Sequence, residues 1–309
     1  MTDRVRLIGL GSALLSVVFW GGSFVATKVA LLDVSPATIV WLRFGLGLIV
    51  MGLLSLGTYR RAGFSRRDLL LFLLLGVIGI TLHQLLQVTG LQTVRATTTA
   101  WVISTTPIFI ALLGVLFLHE RVRWNTVIGM AVGSIGVILV VGRGNLPWLG
   151  DGTAVRTGDL FVLLSAITWA VFSVLSRPLL QRHDPYLMMM IVMLFGWLCT
   201  TPSFLWSGGM NEIERLRPEG WIALAYLGLC CSGLAFAFWY RALKVLPATE
   251  VGAVMYLEPL VTLAVARLVL GEDSPPVVLA GGILIVAGVW LVTRTPGHKS
   301  LRSMRPVQK

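Results

Sequence analysis

Few side chains in this 309-residue chain can carry chemistry, and most that can are embedded in long apolar runs. Glu258, in YLEPLVTLAV, is the only carboxylate near the middle of such a run. A carboxyl group there can pair with a cation, meet a solute, or take up and release a proton. Ionised and alone it would cost several kcal/mol. Lys28, Arg43 and Arg267 also lie inside apolar runs and are the cations that could reach it. Two readings follow: an ion pair that anchors helices, or a group that handles substrate or protons. His83, followed by Gln84 and Gln87, is the other titratable candidate. Histidine can change charge near neutral pH, or sit as a neutral hydrogen-bonded group. The run ATTTAWVISTTPIF places Thr97, Thr98, Thr99, Ser104, Thr105 and Thr106 ahead of Pro107. Such hydroxyls bond back to their own helix or line a polar path.

Other chemistries lack their residues. There is no Gly-Lys nucleotide loop, which argues against ATP-driven pumping. His119-Glu120 has no second histidine to complete a zinc-protease helix, and no Gly-x-Ser-x-Gly elbow occurs. No cofactor, no metal and no enzyme activity are expected. Cys199, Cys230 and Cys231 fall in apolar runs and read as small buried hydrophobes.

The elements that must position these groups follow from composition. Hydrophobic residues make up 56% of the chain and charged ones 13%, with a mean hydropathy of +0.85. A soluble chain carries about 25% charged residues. A bilayer span takes roughly 20 apolar residues, and the apolar runs give ten: 7–31, 35–57, 69–90, 96–117, 125–142, 158–177, 186–206, 221–243, 248–270 and 277–293. The fold class is an all-α membrane protein whose partner is the lipid bilayer.

Charge sets the orientation. With a cytoplasmic N-terminus, inside segments hold Arg4, Arg6, Arg60, Arg61, Arg66, Arg67, Arg121, Arg123, Arg177, Arg182, Arg241, Lys244 and the five basic residues of the 294–309 tail. Outside loops hold only Arg95, Arg143, Arg156, Arg215 and Arg217. Cytoplasmic loops retain positive charge during insertion, so both termini are expected inside, in the inner (plasma) membrane. Anionic head groups near the basic tail account for its charge, and no nucleic-acid partner is expected.

The halves repeat. An offset of 149 residues takes Trp20 to Trp169 and Pro36 to Pro185. An offset of 152 takes Gly76 to Gly228, Ala96-Thr97 to Ala248-Thr249, Pro107 to Pro259, Glu120 to Glu272, Gly129 to Gly281 and Gly136 to Gly288. Five spans per half is an odd number, so the second repeat, 158–293, enters from the opposite side to the first, 7–142. Inverted repeats build alternating-access carriers with a midplane substrate site. Pro107 and Pro259 each free a carbonyl in their helix, which is tolerated where protein or water reaches it; they are candidate hinges. Trp20 and Trp169, near mid-span, need partners for their N–H groups that lipid cannot give. Gly129 and Gly133 allow a close helix contact within the monomer, or as the alternative a homodimer seam.

FWGGSFVATK with LRF in the first half, and YLEPL followed by LGE and a Gly-rich span in the second, resemble the EamA-type drug/metabolite transporters across residues 10–293. The resemblance implies a ten-helix carrier exporting small metabolites such as amino acids. It also implies a central cavity among helices 1, 3, 4, 6, 8 and 9, with helices 5 and 10 as scaffold at the side. On those helices Ser23, Trp101, Thr105, Trp239, Tyr240 and Tyr256 join Trp20, His83, Gln87, Trp169 and Glu258 as candidates for the path of a small-molecule substrate.

The expected function is secondary active transport, with proton coupling as one option; a passive channel or pore is the alternative. In a cysteine-free chain, Asn211→Cys should react with an impermeant thiol reagent applied outside, and Ser65→Cys should not. The reverse labelling would overturn the orientation.

Overall fold

The structure is a computed structural model describing residues 3–57, 63–94, 99, 102–120, 122–142, 157–270 and 276–294. These are helical apart from short connectors, with no strand among them. In chain order the helices are α1 (Arg4–Ala30), α2 (Pro36–Ser55), α3 (Arg66–Thr93), α4 (Thr106–Leu118), α5 (Trp124–Gly142), α6 (Thr157–Leu180), α7 (Pro185–Trp206), α8 (Pro218–Val245), α9 (248–270) and α10 (Pro276–Arg294). Seven are long and apolar enough to cross a membrane, and α4, α5 and α10 contribute shorter apolar stretches. This is an all-α, multi-pass membrane protein. The expected fourth span begins at 96, so its first turns fall largely outside the described residues, as does the 295–309 tail. Leu53, Leu70, Phe117, Ile222 and Ile283 are exposed where lipid would lie, while Trp124 and Trp206 stand exposed at helix ends, as interfacial tryptophans do.

Local signals start the helices. Pro36 and Pro185 open α2 and α7, where a missing N–H costs nothing. Ser65 and Asp68 form a capping box on α3. Asp184 accepts the Tyr186 and Leu187 amides at the start of α7.

Successive helices alternate in direction. Arg6 at the start of α1 bonds Glu250 at the start of α9 and the Thr293 carbonyl at the end of α10. Arg177 at the end of α6 meets Glu120 just past α4. These contacts define a basic end. At the opposite end Arg217 bonds Asp33 at 2.6 Å, and Glu212 accepts the Ser35 amide at 2.9 Å. Thus α1 begins at the end where α6, its repeat counterpart, finishes.

The packing follows the repeat. A Cβ at Gly9 would meet Val245 and Leu246; one at Gly158, its counterpart, would meet Thr93 and Val94, which are their counterparts. The α1–α8 contact is thereby the image of the α6–α3 contact. The α5 glycines face α10 of the same chain: a Cβ at Gly136 would stand 2.6 Å from the Gly281 carbonyl, and one at Gly129 would stand 2.8 Å from that of Gly288.

Five helical segments are interrupted, two of them just before Pro107 and Pro259 and a third at the Gly21-Gly22 pair. Helix α1 breaks at Gly22, and a turn at 104–105 precedes α4. A 3-10 turn, Met255–Leu257, divides α9. Helices α3 and α8 carry π-helical stretches, Val77–Leu82 and Tyr226–Leu234, at corresponding repeat positions. Such stretches collect at functional sites.

Overpacking the α5–α10 contact should be costly. Gly136→Ala should lower stability by about 1–3 kcal/mol, read as an earlier thermal transition in detergent. Gly52→Ala, whose new methyl meets nothing within 4 Å, should leave the transition in place or raise it.

Candidate functional site

The interruptions surround a cavity in the interior of the bundle. One wall is aromatic: Trp20 of α1, Trp169 of α6 and Phe236 of α8. The Trp20 and Trp169 rings meet edge to face at 5.1 Å, and Phe236 meets Trp169 at 5.5 Å. The other part of the lining is polar, with Arg43 of α2 and His83, Gln84 and Gln87 of α3. Ser23 joins α1's contribution, and the broken parts of α4 and α9 bring Thr106 and Glu258.

The hydrogen bonds separate groups that are occupied from groups that are not. Trp20 Nε1 donates to the Cys231 carbonyl at 3.0 Å, inside the π stretch of α8. By repeat symmetry Trp169 Nε1 would bond the Gly79 carbonyl, yet it is buried with no partner among the described residues. His83 stacks against Trp169 at 5.1 Å, and its Nδ1 donates to the Ser165 carbonyl at 2.8 Å. Arg43 donates through Nε to Ser232 Oγ and through Nη1 to Gln84 Oε1, each at 2.9 Å. Two of its five N–H groups are thus engaged. Thr106 Oγ1 and Glu258 Oε2 are buried without a partner among the described residues.

Of the residues expected on the path, Trp20, Ser23, His83, Gln87, Trp169 and Glu258 line the cavity. Trp239 and Tyr240 lie behind the aromatic wall, fully buried; Tyr240 bonds Ser176. Tyr256 turns toward α5, where its hydroxyl meets Ser134 at 3.1 Å. Thr105 bonds back to the Val102 carbonyl at 2.6 Å, and Trp101 lies outside the described residues. Pro107 and Pro259 each sit just after a helix break, the turn at 104–105 and the 255–257 turn. Neither Lys28 nor Arg43 pairs with Glu258. Lys28 instead donates to the Leu91 and Val94 carbonyls at the end of α3, Arg43 is held by Ser232 and Gln84, and the Arg267 side chain is outside the described residues.

Toward the basic end the bundle is closed. Phe172, Trp239, Tyr240 and Leu243 are buried there. Beyond them Glu120 accepts Arg177 at 2.6 Å, the Ala248 amide at 2.8 Å, the Thr249 amide at 3.1 Å and Thr249 Oγ1 at 2.7 Å. One carboxylate so ties α4 to α6 and caps α9. It is aimed by His119, whose φ of 52° is a left-handed conformation that costs a non-glycine residue about 1 kcal/mol or more.

A ten-helix bundle whose two halves close around a midplane cavity is a carrier's architecture. The model of the EamA-like transporter family matches this chain twice, over residues 7–142 and 156–294. The chain belongs to the EamA-like transporter family. An uncharacterized transporter of Archaeoglobus fulgidus is 30% identical to it, over 90% of this chain and 95% of that protein. A protein of Streptantibioticus cattleyicolor described as a probable terminal-alkyne amino-acid exporter is also 30% identical, over 91% of each. A solved crystal structure shares the fold, with a TM-score of 0.75 at 20% identity, covering 95% of this chain and 99% of that one. In this transporter α1, α3, α4, α6, α8 and α9 wall the cavity; α2 adds Arg43, and α5 and α10 contribute nothing to it. The path candidates did not include Arg43, Gln84, Ile103, Thr106, Ala166, Phe236 or Met255, which also line the cavity; the repeat pairs Gln84 with Phe236, Ile103 with Met255 and Thr106 with the candidate Glu258. The signal for those pairs was the repeat offset.

If these indoles contact the solute, its binding should change tryptophan fluorescence. The response should weaken in Trp20→Phe and in Trp169→Phe, with expression and thermal transition kept. A full response in both variants would remove the indoles from the site.

Proposed function

We propose that this transporter is a secondary active exporter of small zwitterionic metabolites such as amino acids, working by alternating access. The observation that carries the reading is the pairing of unspent polar groups in one cavity. Glu258 offers a carboxyl group to an ammonium, and Arg43 and the Trp169 N–H offer donors to a carboxylate. The aromatic wall between them suits an apolar side chain. The name carried by the Streptantibioticus cattleyicolor relative supports the same substrate class. The basic end would face the cytoplasm, with both termini there and the chain in the inner membrane, because the charge imbalance favours that orientation. Glu258 is the group we assign to proton coupling, and the solute's own gradient is the other driving force that fits.

Proteoliposomes test the reading. Radiolabelled L-amino acids, beginning with phenylalanine, should enter saturably, and unlabelled amino acid inside should accelerate entry. Linear uptake without that acceleration would favour a pore. Glu258→Gln keeps size and hydrogen-bonding capacity but cannot titrate. It should abolish accumulation driven by a proton gradient, while exchange, which moves no net proton, continues with a weakened apparent affinity because the ammonium has lost its carboxylate. Equal loss of both, with folded protein retained, would mark Glu258 as a binding or structural group and not a coupling one.

A further inference from the structure

Four repeat pairs line the cavity with both of their members: Trp20 and Trp169, Gln84 and Phe236, Ile103 and Met255, Thr106 and Glu258. A residue and its image can share one cavity only near the axis that relates the halves. The remaining lining residues contribute without their images. Ser23, Arg43, His83, Gln87 and Ala166 face the cavity. Their counterparts Phe172, Val192, Ala235, Trp239 and Val17 are all buried in the closed half, nearer the basic end. Phe24 borders a smaller pocket beside Glu258, and its counterpart, Ser173, is likewise buried.

Two polar atoms in that closed layer make it more than core. Trp239 Nε1 and Ser173 Oγ are buried, and neither has a hydrogen-bond partner among the described residues. Tyr240 and Ser176, one residue and one turn away, satisfy each other at 3.1 Å. An orphaned donor in a layer that never opened would be a standing cost, since buried polar groups are normally paired.

We propose that Val17, Phe172, Ser173, Val192, Ala235 and Trp239 form the wall of a second passage, closed here and leading to the basic end. Trp239 Nε1 and Ser173 Oγ are its solute-contacting groups. This rests on the alternating-access reading above: rocking the halves the other way exchanges the environments of repeat partners. The two passages then differ in chemistry. The open one carries a guanidinium, an imidazole and an amide; the closed one offers two neutral donors on an apolar wall. A solute with a hydrogen-bond acceptor, such as a carboxylate, and an apolar body fits the second.

Sided labelling decides. In a chain with Cys199, Cys230 and Cys231 replaced by alanine, Ser173→Cys, Val192→Cys and Ser23→Cys are each exposed to an impermeant cationic methanethiosulfonate reagent. Right-side-out and inside-out vesicles are compared during amino-acid exchange. Ser23→Cys should react from the side opposite the basic end. Ser173→Cys and Val192→Cys should react from the basic end, at least about tenfold faster than from the other side. Reaction of these two from the Ser23 side overturns the proposal, as does no reaction from either side in protein that still exchanges. Loss of trans-acceleration in the cysteine-free parent together with labelling of Ser173→Cys from both sides would instead overturn alternating access. Trp239→Phe keeps the ring and removes the donor; it should weaken apparent affinity from the basic end about tenfold, the worth of one hydrogen bond of ordinary strength. The affinity seen by the open cavity should stay unchanged.

Discussion

Hydrocarbon offers no hydrogen bonds, so every polar group at mid-depth must find its partner inside the protein or in a wet cavity. That constraint explains where this bundle is regular and where it is not. Helices α5 and α10, packed on each other at the side, run unbroken. Helices α1, α3, α4, α8 and α9 break, and all five wall the cavity. A break exposes carbonyls and amides, so it can persist only where side chains can answer them. The Cys231 carbonyl receives Trp20, and the Ala235 carbonyl receives Ser16 at 2.9 Å. The irregular backbone and the cavity are one feature seen from two sides.

Duplication supplies the frame and divergence the chemistry. Small residues hold the same contacts in both halves, because a backbone approach tolerates no side chain: Gly9 and Gly158 keep the α1–α8 and α6–α3 contacts close. The side chains around the cavity did not stay matched. Gln84 and its image Phe236 both line the cavity, as do Thr106 and its image Glu258. The shape is thus close to symmetric while the charge is not. Under the alternating access proposed above, a symmetric frame would let the two facing states be similar in energy, and an asymmetric lining would let a solute interact differently with each.

Much of this was legible in the residues. The apolar runs, Pro36 and Pro185, and the two offsets carry the helix count, two helix starts and the packing partners, since each depends on composition or on spacing along the chain. The lining was legible only in part, because adjacent residues on a helix point about 100° apart. Thr106 therefore reaches the cavity while Thr105 does not, and Glu258 faces it while Tyr256 faces α5. The π-helical stretches of α3 and α8 carry no proline to announce them, and Gly228 within Tyr226–Leu234 packs on α2. Arg43 read as a partner for Glu258 because opposite charges were counted without distances. Ser232 and Gln84 hold it instead.

The position of the Glu120 latch follows from the same solvent argument. It offers a carboxylate to Arg177, to two backbone amides and to a hydroxyl, all charge-assisted bonds that are strong when formed. Opening toward the basic end would break all of them. At mid-depth that loss would leave five polar groups facing hydrocarbon or a narrow cavity. At the bundle's end water can replace each bond as it breaks, so net cost falls toward the difference between protein and water partners. The layer between latch and cavity, with Phe172, Leu243 and Val251, has little polar to lose. A carrier that must open and close repeatedly is best served by polar contacts at its ends and apolar ones within. On that division, the polar groups left to change partners in the dry part of the bundle are those on the axis together with Trp239 Nε1 and Ser173 Oγ, and those are the groups a solute can answer.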